Sequence, residues 1–178
     1  MISLPFRRSP RNATIEAVYG MIVAQARSPE FYRDYGVPDT VEGRFDMIVL
    51  HLVLVLRRLR GQAQGLDPLG QQIFDRFCRD MDGNFREMGV GDLAVPRKMR
   101  QVAEAFYGRA GAYEEALAGS ANPAALTEVV FRNVYGGTGS PAGAERLAGY
   151  VRESVRSLEL QGLPGAEVRF PHPDEIAA

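Results

Sequence analysis

The sequence predicts an all-α protein: a single-domain bundle of about six helices over residues 13–160, followed by an extended C-terminal tail over 161–178. Apolar residues recur with the period of a helix. Residues that commonly begin helices precede these stretches, and several are followed by proline. No alternating apolar pattern is long enough for a useful β-strand. The length of 178 residues is sufficient for one domain with a substantial core.

The helix boundaries follow from local signals, because capping side chains accept backbone hydrogen bonds and proline is tolerated at the first helical position. A short helical turn begins at Ser28-Pro29-Glu30 and is ended by Gly36-Val37-Pro38. Prolines after Gly162 favour an extended tail. The six long helices are expected from a Thr14 cap to about Arg27, from Asp39 or Thr40 to Arg60, from Asp67-Pro68 to Met88-Gly89, from Asp92 or Leu93 to Leu117, from Asn122-Pro123 to Tyr135, and from Ser140-Pro141 to Leu160.

The most apolar stretch, residues 47–56, predicts a buried central helix. Ten helical residues span about 15 Å, roughly half of a bilayer's hydrocarbon core, so a membrane-spanning segment is not expected. The helices over 39–60, 67–89 and 92–117 should pack against one another around a shared core: Phe45, Leu52, Phe77, Met81, Phe106 and Tyr113.

Helical periodicity also predicts a polar seam. Arg44, His51 and Arg58 recur every seven residues beside the apolar stripe of the 39–60 helix, whereas Asp46 falls on the outward side with Glu42, Arg57 and Arg60. A cation near the core needs a partner, because an unpaired buried charge is costly. Asp80, at the edge of the apolar arc of the next helix, is the expected partner. The seam is either a set of structural pairs or a polar pocket for a ligand or a partner's charge.

A stripe of small residues lies opposite the apolar face of the 92–117 helix: Ala105, Gly108, Ala112 and Ala116. Small residues let another helix approach closely. That helix could belong to this domain or to a partner.

The sequence gives no catalytic set, no cofactor site and no metal site. Asp80, Asp82 and Asn84 resemble the start of a calcium loop, but Phe85 and Gly91 occupy the positions that require glycine and glutamate. Two histidines are too few for a histidine-based zinc site. A net charge of −1 and short basic clusters do not favour nucleic acid. The single cysteine, Cys78, excludes an internal disulfide and fits a reducing compartment.

A set of segments, in this order, resembles the ubiquinol–cytochrome c chaperone family over roughly residues 13 to 120. The resemblance implies a helical, non-enzymatic assembly chaperone of the cytochrome bc1 complex that binds newly made cytochrome b. It also implies a second small chaperone and the ribosome as further partners. The segments are Phe31-Tyr32, 39–46, Leu50-His51-Leu52, Arg57-Arg58-Leu59, Asp80-Met81-Asp82, 86–92 and 105–109.

These two lines of reasoning predict a chaperone that holds an apolar helix or connecting loop of its client in a helical groove. We expect a cytoplasmic location, with peripheral contact at the inner membrane as one option. The alternative is a small helical enzyme or metabolite-binding protein that uses a polar pocket around Arg44, His51 and Asp80. Co-purification with cytochrome b would favour the first, and a tightly bound metabolite would favour the second.

The turn from Arg86 to Asp92 and the neighbouring charges of the next helix are the predicted client contacts. Packing does not explain these side chains, and the glycines of the turn allow close approach of a partner backbone. Solvated charge without a role is the other interpretation. Charge reversal at both Arg86 and Arg109 is expected to leave folding intact and to lower bc1 assembly. The full set of candidate contacts is Arg86, Glu87, Asp92, Lys98, Tyr107 and Arg109.

Overall fold

The computed structural model describes residues 10–61, 67–119, 122–162 and 168–176, and over these residues the chain is all-α. The predicted fold class is confirmed: six long helices and the short helix after Ser28 are present, and no strand is found in the described ranges. The elements are α1 (Pro10–Ala26), α2 (Pro29–Arg33), α3 (Val41–Arg60), α4 (Pro68–Glu87), α5 (Val95–Ala118), α6 (Pro123–Val134), α7 (Pro141–Glu159) and a 3-10 turn (Pro173–Glu175).

Side-chain caps fix most helix starts as the sequence predicts. Thr40 accepts a hydrogen bond from the Gly43 amide at 3.0 Å. Equivalent caps begin α4, α6 and α7, where Asp67, Asn122 and Ser140 each accept an amide two or three residues ahead. Such local contacts satisfy amides that have no partner within the helix, and local sequence therefore determines where these helices begin.

Two helix starts differ from prediction. The first helix begins at Pro10, a turn before Thr14, because proline is well suited to the first helical position. The helix α5 begins at Val95 rather than at Asp92 or Leu93. Its start is delayed because residues 91–94 form a separate turn, in which the Ala94 amide donates to the Gly91 carbonyl at 2.8 Å.

The central position belongs to α3, which packs against α1, α4, α5, α6 and α7. Every residue from Met47 to Val55 is buried. This confirms the buried central helix. None of the described helices is both long and apolar enough to cross a membrane.

The helices α3, α4 and α5 pack mutually, as predicted. Leu52, Phe77 and Tyr113 are fully buried. The rings of Phe74 and Phe106 lie 4.7 Å apart, and those of Phe77 and Phe106 lie 6.0 Å apart. The six residues predicted to share this core all belong to it, with Phe45 partly buried at its margin.

The segment between α2 and α3 packs tightly because two glycines let backbones meet. A β-carbon at Gly43 would lie 2.0 Å from the Pro38 carbonyl oxygen, and one at Gly143 would lie 2.1 Å from that of Tyr35. Either distance is too short for a side chain. The Tyr135 hydroxyl also donates to the Tyr35 carbonyl at 2.8 Å, so this connection fixes α3 against α6 and α7.

The described part of the tail, residues 168–176, lies against the bundle. Val168 and Pro173 are buried. The Tyr35 hydroxyl donates to the Pro173 carbonyl at 2.6 Å, and the Gln25 amide donates to the Pro171 carbonyl at 3.0 Å. This segment is irregular up to the 3-10 turn at Pro173–Glu175, and it completes the packing around α1 and α2.

Candidate functional site

A cavity of about 540 Å³ opens between the first half of α3, the end of α4 and the first half of α5. We call this cavity the groove. Its floor and walls are mainly apolar: Val41, Phe45, Ile48, Met81, Phe85, Met88, Val102 and Ala105. Its edges carry polar and charged side chains: Arg27, Glu42, Arg44, Asn84, Glu87, Lys98 and Gln101.

The groove exists because apolar residues continue to the helix ends, past the region where the helices cover one another. Val41, the first residue of α3, is 67% exposed, and Met88, just after α4, is 65% exposed. Phe85 is only partly buried. Exposed apolar side chains beside a concave surface favour binding of another apolar group.

Two arginines at or beside the mouth of the groove are held by carboxylates. Arg44 contacts Asp39 at 2.6 Å, and this hydrogen bond lowers the pKa of the Asp39 carboxyl. Arg86 contacts both Asp82 and Asp92 at 2.6 Å and so closes the turn after α4. These ion pairs hold Arg44 and the turn after α4 in place.

Behind the groove, Asp46 and Arg109 form a largely buried ion pair. The Arg109 Nη2 atom lies 2.7 Å from the Asp46 Oδ1 atom, and Asp46 is 7% exposed. The Arg109 guanidinium also lies over the Phe45 ring, 5.7 Å from its centre. Burial raises the pKa of Asp46 to about 6, and Arg109 partly offsets this rise. Arg109 thus supports the aromatic floor of the groove from behind.

The outward placement predicted for Asp46 is wrong. The helical wheel put this residue on the polar side of α3, but α5 packs on that flank and covers it. The pairing with Asp46 also means that charge reversal at Arg109 would face a buried carboxylate, so we now expect this substitution to destabilise the fold.

The predicted polar seam does not form. Asp80 accepts a hydrogen bond from the Tyr19 hydroxyl at 2.9 Å and contacts Arg76 at 3.3 Å. Among the described residues, no salt bridge joins it to Arg44, His51 or Arg58. The reason is that α1 packs against α4 and places Tyr19 beside Asp80. The sequence predicts the cations of α3 at this position.

His51 and Arg58 form hydrogen bonds with residues on α7 or just after it. The His51 Nδ1–H donates to the Met47 carbonyl at 2.8 Å, and its Nε2 accepts from the Tyr150 hydroxyl at 2.9 Å. Complete burial lowers the pKa of His51 to about 4, so the ring is neutral at physiological pH. Arg58 donates to the Leu158 and Gln161 carbonyls at 2.7 and 2.8 Å. Since these side chains belong to separate contacts, a common pocket of Arg44, His51 and Asp80 is absent from the described structure.

The predicted client contacts take different places around the groove. Glu87 and Lys98 line its rim, and Arg86 and Asp92 hold the turn beside it. Tyr107 is 63% exposed, with its ring 5.8 Å from that of Phe74. Client contact by these residues stays a prediction.

The sequence did not identify the groove floor, because periodicity assigned Phe45, Ile48 and Val102 to the core. Exposed apolar residues at helix ends, such as Met88, were the available signal.

Of the small-residue stripe, Ala105 lines the groove, whereas a β-carbon at Gly108 would meet no described atom within 4 Å. No described helix of this domain therefore covers Gly108.

One group of potential metal ligands comes together within the described ranges: Glu30, His172 and Asp174, with ligand atoms within 4.8 Å of one another. His172 and Asp174 are exposed. The His172 Nδ1 accepts the Asp174 amide at 3.3 Å and caps the 3-10 turn. Local capping accounts for the closeness of His172 to Asp174.

Comparisons with known proteins agree with this architecture. The sequence model of a family described as "Ubiquinol-cytochrome C chaperone" matches residues 33–169. The ubiquinol-cytochrome-c reductase complex assembly factor 1 of Xenopus laevis is 24% identical over 143 residues, which cover 80% of this chain and 70% of that protein.

A solved structure gives the same result for the fold. The crystal structure of the Cbp3 homolog from Brucella abortus is similar with a TM-score of 0.84 and 35% sequence identity, covering 94% of this chain and 93% of that chain. The family match extends beyond residue 120, where the resemblance of short segments ended. The family is one of chaperones and assembly factors, not of enzymes. The chain therefore belongs to the ubiquinol–cytochrome c chaperone family.

Proposed function

We propose that this protein assists assembly of the cytochrome bc1 complex by holding newly made cytochrome b in the groove. The observation that carries the proposal is the apolar floor of a groove that remains open in the described structure. A membrane-protein client has apolar helices that must be shielded until they reach their partners, and helix-in-groove binding provides such shielding.

The dimensions of the groove support a short segment as the bound part of the client. Its floor runs along α3 from Val41 to Ile48, which is about 10 Å of helix axis, or two turns. A volume of about 540 Å³ accommodates a few apolar side chains rather than a whole transmembrane helix. One apolar face of a helix, or an apolar connecting loop, is the expected ligand.

The charged rim would then fix the orientation of the client. Glu87 and Lys98 carry opposite charges on neighbouring walls and could contact polar groups that flank the apolar segment. We place this activity in the cytoplasm beside the inner membrane, where a second small chaperone or the ribosome could deliver the client.

A pull-down from detergent-solubilised membranes tests the proposal. The tagged wild-type protein should recover cytochrome b. Val41→Asp and Ala105→Phe should recover much less, because the first places a charge on the floor and the second fills the groove. Val41 is exposed at the start of α3, where an acidic residue favours the helix, so folding should be retained.

Leu160→Ser is the matched control, since Leu160 is 89% exposed and lies outside the groove. Absence of cytochrome b from the wild-type pull-down would contradict the proposed client. Equal recovery by wild type and both groove variants would contradict the groove as the binding site.

A further inference from the structure

The turn between α4 and α5, residues 88–94, presents apolar side chains directly to solvent. Leu93 is 99% exposed and Met88 is 65% exposed. Two of the five exposed large apolar residues in the described ranges thus lie in seven residues of sequence. Packing within the domain does not account for Leu93, which has almost no contact with the rest of the protein.

The turn is ordered rather than loose. The Gly89 amide donates to the Arg86 carbonyl at 3.0 Å, and the Val90 amide donates to the Phe85 carbonyl at 2.9 Å. Gly89 has a φ of +80°, a conformation that suits glycine. The Arg86–Asp92 contact closes the turn from the side. Because the backbone is already fixed, little conformational entropy is lost when the apolar side chains bind a partner.

Three cations follow immediately at the start of α5: Arg97, Lys98 and Arg100. All are exposed, and among the described residues none has a carboxylate within salt-bridge distance. The first turn of α5 contains no acidic residue. Cations near a helix N-terminus are disfavoured by the helix dipole, so helix stability does not explain this cluster.

We propose that the 88–94 turn and the start of α5 dock on an anionic lipid bilayer. Leu93 and Met88 would enter the interfacial region, and Arg97 and Arg100 would contact lipid phosphates. Exposed apolar groups flanked by cations are the combination that binds anionic membrane surfaces. A protein partner is less well matched, because Leu93 stands out from the surface instead of lying within a broad apolar patch.

This inference deepens the proposed function and rests on its setting beside the membrane. Met88 and Lys98 belong to the groove as well as to this end of the molecule. Docking through the turn would therefore hold the mouth of the groove at the bilayer surface, where a client segment emerges.

Vesicle co-sedimentation tests the inference without any client. The 178-residue chain should bind vesicles made of equal parts phosphatidylcholine and phosphatidylglycerol, and bind phosphatidylcholine vesicles far less. Raising the salt concentration should weaken the binding. Each basic side chain near an anionic surface contributes roughly fivefold in affinity, so Arg97→Gln combined with Arg100→Gln should lower it about 25-fold.

Leu93→Ser should weaken the binding by about tenfold, while Leu160→Ser should bind like wild type. Leu160 is the matched control because it is almost as exposed, but follows α7 near the opposite end of α3. Lys98 is left unchanged because it also lines the groove. Failure of wild type to bind, equal binding to both vesicle types, or equal losses for Leu93→Ser and Leu160→Ser would overturn the inference.

Detergent pull-downs separate this result from the proposed function. Leu93→Ser should recover cytochrome b as well as wild type does when no bilayer is present. If Leu93→Ser keeps vesicle binding and loses cytochrome b, the turn is a protein contact and the membrane inference is wrong. If wild type binds vesicles but recovers no cytochrome b, the proposed client fails and the docking surface stands.

Discussion

The groove and the aromatic cluster around His51 lie along the same helix, α3, but differ in how their surfaces are completed. Around His51, the protein supplies the partners itself: Tyr150 donates to the ring, Gln25 donates to Tyr150, and Phe170 lies 4.9 Å away. In the groove, Phe45 and Ile48 line an open volume. Both regions are apolar in sequence, and only one is filled by the protein.

The difference shows how a stable domain can keep an apolar binding surface. The middle of α3 is covered on all sides and provides stability, since buried apolar side chains each contribute about 1.5–3 kcal/mol. In the first two turns of α3, Asp46 pairs with Arg109 on one flank, while Val41 and Phe45 line the open groove. Substitutions can therefore separate residues that maintain the fold from residues that serve the groove.

The largest effect is expected where the closed core meets the groove. Arg109→Glu should lower the free energy of unfolding by about 3–5 kcal/mol, because it removes the partner of Asp46 and places a second carboxylate beside it. Lys98→Glu, on the exposed rim, should change it by less than ~0.5 kcal/mol. Urea denaturation measures both. Equal midpoints for Arg109→Glu and wild type would show that the contact between Arg109 and Asp46 does not stabilise the fold.

The core of α3 should tolerate truncation far less well than the groove end of the same helix. Leu52→Ala should cost about 2–5 kcal/mol, because Leu52 is fully buried and its removal leaves a cavity. Val41→Ala should cost less than ~0.5 kcal/mol, because Val41 is largely exposed. Chemical denaturation compares the two, and a loss below ~1 kcal/mol for Leu52→Ala would make α3 peripheral.

A pH dependence of stability is expected from Asp46, which is buried behind the groove. The pKa of Asp46 is raised from 3.8 to about 6 in the folded protein. The folded state therefore binds more protons between these values, so the contribution of Asp46 is fully present below pH 4 and is lost as pH rises through 6. Two pKa units correspond to about 3 kcal/mol.

Asp46→Asn removes this titration and serves as the reference. The free energy of unfolding of wild type, relative to that of Asp46→Asn, should fall by about 3 kcal/mol between pH 4 and pH 7. Urea denaturation across this pH range measures the difference, and NMR should place the midpoint of the Asp46 carboxyl near 6. A midpoint below 4 would contradict the buried state of Asp46.

The smallest effect on stability is expected at the exposed rim. Arg86→Ala removes the contacts with Asp82 and Asp92, which are exposed and contribute little. The urea midpoint should stay within error of wild type. Recovery of cytochrome b in the pull-down then tests the role of Arg86: a loss supports client contact, and unchanged recovery limits Arg86 to its contacts with Asp82 and Asp92.

Local signals in the sequence determined the positions of the helices. Thr40, Asp67, Asn122 and Ser140 cap helices as predicted, because a cap involves residues only two or three positions apart. The apolar period of α3 likewise identified its buried face. The same period placed Asp46, which flanks the apolar stripe, on the outward side of α3. This prediction was wrong, because Asp46 is buried.

The tertiary structure alone decided which helix lies against each flank, and thus the long-range partners of Asp80, His51 and Asp46. Asp80 contacts Tyr19 of α1, His51 contacts Tyr150 of α7, and Asp46 contacts Arg109 of α5. The groove is also a tertiary feature, since its lining comes from α3, α4 and α5 together. The periodicity of one helix identifies its apolar face, whereas pairing between distant residues depends on the placement of whole helices.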